Sequence, residues 1–131
     1  MKKKGFQFFK IISSINQLRL PLKFVEKFGH ELSNVALLKV NDGKNWSLEL
    51  RKTNNEIAFH NNWLEFVEYY SISVGHLLVF KYYRNSNFRV AIFDMTCSEI
   101  TYPKEVDNQD ESEEEMLSKY LNFRCVWIQF I

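Results

Sequence analysis

The sequence predicts an all-β, barrel-like domain carrying two short α-helices, and three observations lead there. Apolar, branched and aromatic residues gather into runs or alternations of strand length at six or seven places along the 131 residues. Clusters of Asn, Asp, Ser and Gly separate those runs and supply turn chemistry. Only two stretches show apolar residues at helical spacing, and each is short. The length suits one domain, and 46% hydrophobic content with twelve Phe, six Tyr and three Trp suffices for a core.

Phe8, Phe9, Ile11 and Ile12 form the first strand, and residues 13–17 break it with a polar loop whose one apolar member is Ile15. Pro21 suits the first helical position and Gly29 the left-handed position past a helix end. Phe24, Val25 and Phe28 share one face of the helix between them. Residues 35–40 read as a strand, and 41–45 as the turn before a half-buried strand in which Trp46, Leu48 and Leu50 alternate with Ser47, Glu49 and Arg51. Residues 52–56 form a second polar loop, followed by a short strand over Ile57 and Phe59. Trp63, Phe66, Val67 and Tyr70 then define the second helix, with Asn61 or Asn62 at its cap. Residues 76–83 and 88–93 make a hairpin around 84–87, and a last short strand is expected near Glu99 and Ile100. Phe24, Phe28, Trp46, Trp63, Phe66, Phe80 and Ile92 are the expected buried set.

Composition excludes several classes. The four initial residues and the apolar stretch after them are interrupted by Lys10 and lack a small-residue cleavage site, so secretion is not expected. No run approaches the roughly 18 apolar residues of a membrane span. Cys97 and Cys125 are expected as free thiols in a soluble intracellular protein. Residues 1–103 hold 14 Lys and Arg against 9 Asp and Glu, whereas 104–131 hold 3 against 7. A mildly basic domain therefore carries an acidic segment, a balance compatible with a polyanionic partner.

No catalytic constellation emerges. His30, His60 and His76 are widely spaced, and neither HxxxH, CxxC nor a glycine-rich phosphate loop is present. Glu49-Leu50-Arg51 is explained by an exposed strand face, and Cys97 has no histidine near it in sequence. The polar loops carry more information. The first offers Lys10, Ser13, Ser14, Asn16, Gln17 and Arg19, and the second Arg51, Lys52, Thr53, Asn54 and Asn55. Lys and Arg neutralise phosphates, while Asn, Gln and Arg make paired hydrogen bonds to base edges. Polar loops that merely solvate a barrel end would look similar.

Several segments follow one another in an order that resembles the plant B3 DNA-binding domain. They are FFKII at 8–12, LRLPLKFV at 18–25, WSLEL at 46–50, WLEF at 63–66, YYSI at 69–72, GHLLVFKY at 75–82 and FRVAIFD at 88–94. The chain is similar to the reproductive-meristem (REM) type of that family over residues 5–103. The resemblance implies a seven-stranded open pseudobarrel, in a nuclear transcription regulator, whose two arms clasp the major groove of double-stranded DNA. It implies no enzymatic activity, metal, cofactor or small-molecule substrate. The first arm corresponds to residues 10–19 and the second to 51–55, reaching towards His60 and Asn61. Lys10, Arg19, Arg51 and Lys52 would hold phosphates, and Ser14, Asn16, Gln17, Asn54 and Asn55 could reach base edges; Arg19 could instead read a guanine.

Two residues depart from the family pattern. Asn41 stands where relatives usually have Pro, and Asn62 where they usually have Gly. Residues 104–131 have no counterpart and read as an acidic linker with a short apolar tail, whose charge would compete for the DNA-binding surface. That tail, through Phe123, Trp127 and Phe130, also supports an alternative in which the domain is a protein-interaction scaffold with weak or no DNA binding. A third reading, the recognition domain of a nuclease, lacks the carboxylate and lysine set it would need.

Overall fold

Side-chain alternation decides which face each strand buries, and it closes the sheet around a single aromatic core. The computed structural model describes residues 5–104, so residues 1–4, the acidic linker beyond Lys104, Cys125 and the apolar tail lie outside the described residues. Seven strands are present there: β1 (Phe6–Ile11), β2 (Leu18–Arg19), β3 (Val35–Val40), β4 (Asn45–Thr53), β5 (Glu56–Phe59), β6 (Leu77–Tyr82) and β7 (Asn87–Phe93). Helix α1 (Leu22–Phe28) follows β2 and helix α2 (Trp63–Tyr69) follows β5.

The strands run in the order β1-β6-β7-β3-β4-β5-β2. All neighbours are antiparallel except β3 and β7. Chain length alone shows that this sheet must curl. Laid flat, seven strands about 4.8 Å apart would separate β1 from β2 by about 29 Å. The seven steps from Ile11 to Leu18 span at most about 25 Å. The result is an open half-barrel whose two edges are tied by residues 12–17.

Phe24 of α1 is fully buried, with the rings of Phe6, Phe8, Phe28, Tyr82 and Phe88 centred 5.0–5.8 Å from its own. Trp63 of α2 stacks between Phe59 and Phe66 at 5.6 and 5.3 Å. Phe59, itself stacked on Phe80, joins the two clusters into one core. Burying each such ring contributes about 1.5–3 kcal/mol, which is how seven-residue helices hold their place without strong caps.

Several sequence expectations change. Pro21 is the N-cap of α1 rather than its first helical residue, with ψ 143°. Gly29 has φ −57° and continues into the 3-10 turn Gly29–Glu31 instead of ending the helix left-handed. Its glycine is explained by space, since a Cβ there would lie 3.1 Å from Val25 Cγ1 and 3.2 Å from Ile57 Cδ1. The seventh strand is β2, because Glu99 makes only an isolated bridge to Phe93. Trp46 is half-buried, not enclosed, and its Nε1 donates to the Tyr70 hydroxyl at 3.1 Å. Asn62 does precede α2, but at φ +71° and with no side-chain capping bond; its Nδ2 donates to the Ser47 carbonyl at 3.1 Å. That left-handed backbone accounts for glycine in the family pattern, and Asn is among the residues that tolerate it best.

Candidate nucleic-acid interface

The second arm is a β-hairpin. Strand β4 runs on to Thr53, so Lys52 and Thr53 join Arg51 in the strand and do not lie in the loop expected at 52–56. Thr53 pairs with Glu56, which leaves Asn54 and Asn55 alone at the tip, Asn54 with φ +50°. The strand register then sorts the side chains by face. Leu48, Leu50 and Lys52 have one parity, and Glu49, Arg51 and Thr53 the other.

Arg51 sits opposite Ala58 on β5, and Ala58 sits opposite Arg19 on β2. One cross-strand row therefore reads Arg19-Ala58-Arg51, with the two cationic side chains flanking a residue too small to separate them. Two inter-strand steps put their Cα atoms about 10 Å apart. Ala58 is buried, while both arginines are exposed. Arg19 Nη1 donates to Glu56 Oε2 at 3.1 Å, an exposed pair that orients the guanidinium more than it stabilises the fold.

The first arm is irregular. It leaves β1 at Ile11, is anchored when Ile12 N donates to the His76 carbonyl at 2.8 Å, and rejoins the sheet at Leu18 opposite Phe59. Ser14 Oγ accepts from Asn16 N at 3.3 Å, a local turn bond. Lys10, Ser13, Ser14, Gln17 and Arg19 line an open groove of about 550 Å³, and Asn55 and Glu56 of the hairpin close its far side. A smaller hollow of about 170 Å³ continues it past Gln17, Arg19, Arg51, Thr53 and Glu56.

The fold thus gathers Lys10, Ser13, Ser14, Gln17, Arg19, Arg51, Thr53 and Asn55 around one continuous concavity. It does not bring all the expected residues there. Lys52 projects from the other face of β4 and its Nζ donates to the Leu32 carbonyl just after the 3-10 turn. Asn16 and Asn54 are exposed beside the concavity without lining it. His60 and Asn61 lie at the opposite end of β5 from the hairpin tip, where His60 N donates to the Glu49 carbonyl and Asn61 Nδ2 to Glu49 Oε1 at 3.0 Å. Sequence reasoning missed Glu56 and Ala58. Their importance comes from strand register, for which the sequence carried only a weak signal in the Asn54-Asn55 turn.

Fold and groove together define an open β-pseudobarrel with a polar, arginine-flanked cleft at one end. The chain belongs to the B3 DNA binding domain family, whose sequence pattern matches residues 8–96. It is 51% identical over 86 residues to the B3 domain-containing transcription factor VRN1 of Arabidopsis thaliana, a REM-type protein, covering 66% of this chain and 25% of that one. It is 36% identical over 115 residues to the B3 domain-containing protein At4g01580 of the same plant, covering 85% and 60% respectively. This chain thus spans less than two thirds of either relative. The solved structure of the Arabidopsis thaliana protein At1g16640.1 superposes with a TM-score of 0.65 at 26% identity, covering 72% of this chain and 96% of that one.

Proposed function

We propose that this domain binds double-stranded DNA by seating one duplex between its two arms, and that it does so as part of a nuclear regulator of transcription with no catalytic role. The observation that carries the reading is the Arg19-Ala58-Arg51 row beside the groove that both arms line. Two guanidiniums on one face, with Lys10 across the groove, supply the phosphate neutralisation that dominates affinity. Gln17 and Asn55 add amide groups to the lining of the same groove, the chemistry that discriminates bases in the major groove. The family membership and the transcription-factor relative support the same reading.

Lys52 is left out of the phosphate set because its ammonium is engaged on the other side of β4. Three phosphate contacts, through Lys10, Arg19 and Arg51, give an expected slope of log K against log salt of about −2.7. Arg51→Ala reduces that slope by about one unit for every sequence. Lys52→Ala leaves it unchanged. Titrating fluorescent duplex at several salt concentrations with the three proteins tests this directly. Indistinguishable, negligible affinities at low salt would remove DNA as the ligand, and equal effects of the two substitutions would remove the face assignment.

A further inference from the structure

The outer face of the other half of the sheet carries a surface that the arms do not use. Phe9, Val79 and Ala91 form one cross-strand row on it, over β1, β6 and β7. Lys81 and Arg89 form part of the next row, which Lys39 extends across the parallel β7–β3 pair. Phe9 is 57% exposed, and Met95 just beyond β7 is 69% exposed. Lys81, Arg89 and Lys39 are exposed and make no ion pair with any described residue. Like charges on neighbouring strands cost stability, so a row of three cations beside an apolar row marks a surface suited to an acidic, apolar partner.

The chain itself supplies that chemistry beside β7, one of the strands that carry this face. Ile100 N donates to the Ile92 carbonyl at 2.9 Å and the Tyr102 hydroxyl accepts from Ile92 N at 3.0 Å, so the described chain leaves beside β7, the strand that carries Arg89. In sheet order Arg51 lies two strands further away. Seven Asp and Glu follow within residues 105–115, and an apolar block that includes Leu121, Phe123 and Trp127 comes after them. Charge and hydropathy match the two rows, and 27 residues are ample to reach both.

We infer that residues 105–131 dock on the outer face of β1, β6 and β7 of their own chain. The acidic block lies against Lys81, Arg89 and Lys39, and the apolar block covers Phe9, Val79 and Ala91. This is independent of the DNA reading and places the acidic block away from the arms, in place of the competition that its charge suggests. A nitroxide on Cys125 of the full chain, with Cys97→Ser to leave one thiol, tests it by NMR. The expected result is broadening of the Phe9, Val79 and Arg89 amides that survives dilution and weakens severalfold in Lys81→Glu/Arg89→Glu. Broadening centred on Arg19 and Arg51, broadening that fades on dilution, or none above the level of a free label would each overturn the inference.

Discussion

The two arms reach the same groove by opposite means. The hairpin arm is set by strand register: once Arg51 opposes Ala58, the faces of Lys52, Thr53 and Glu56 follow, and only Asn54 and Asn55 are free of the ladder. The loop arm has no ladder between Ile11 and Leu18 and is fixed by end anchors and a single local bond at Ser14. The difference teaches that one arm inherits its shape from the core, while the other inherits only its end points. A ligand therefore meets a preformed wall on one side and an adaptable one on the other.

The largest test of that contrast is Phe59→Ala. Phe59 lies at the end of the hairpin and stacks on Trp63 and Phe80 at 5.6 and 5.8 Å, so its loss is expected to cost about 3–5 kcal/mol in urea unfolding. Ser13→Ala in the exposed loop arm is expected to change stability by less than about 0.5 kcal/mol. Comparable losses from the two would show that the loop is structured as firmly as the hairpin.

Next comes the hairpin tip. Asn54→Val forces a β-branched residue into φ +50° and is expected to destabilise by about 1–2 kcal/mol, whereas Asn54→Gly is close to neutral. A Val variant as stable as wild type would mean that the tip is as pliable as the other arm.

A smaller effect is expected in binding. Glu56→Gln removes the one carboxylate among the described residues that lines the groove and frees Arg19, so duplex affinity at low salt is expected to rise severalfold without a change in unfolding midpoint. Weaker binding would show that Glu56 is needed to hold Arg19 in position.

The last test separates both arms from the scaffold they share. Burial, and then donation of its hydroxyl to Glu31, push the Tyr82 phenol up to about 12 from its ordinary value of 10.0. A raised pKa contributes stability that is complete below pH 10 and is lost as pH rises towards 12. Unfolding midpoints followed through that window should fall for wild type, and less steeply for Tyr82→Phe. An identical alkaline decline in both would remove Tyr82 from the account.

Much of this architecture is legible in the sequence, and its gaps have physical causes. The alternation of Trp46, Leu48 and Leu50 and the spacing of Trp63, Phe66 and Val67 find strand β4 and helix α2 because each element has one buried face. The same alternation, carried two residues further, puts Lys52 on the buried parity, away from Arg51. β2 escapes notice because two residues show no period, and only pairing with β5 makes them a strand. Phe9 and Ile11 belong to an apolar run that shows no alternation, so the sequence does not reveal that they face outward, at 57% and 62% exposure. For the site, residue types pointed to both arms, but only strand register sets Arg19 and Arg51 on either side of Ala58.

Among the described residues β1 is an edge strand paired only with β6, and Phe6 is placed opposite Tyr82. On the ribosome the first strand of this domain emerges before its partner β6, which comes only after most of the domain has been synthesised. The loop arm is secured at its Leu18 end by β5, but its Ile11 end is not secured early, since Ile12 is held by His76 at the start of the same late segment. The arm translated first is thus the one whose strand partner is made late, and a chain arrested before Leu77 contains both helices and the β4–β5 hairpin but lacks the strand that β1 pairs with.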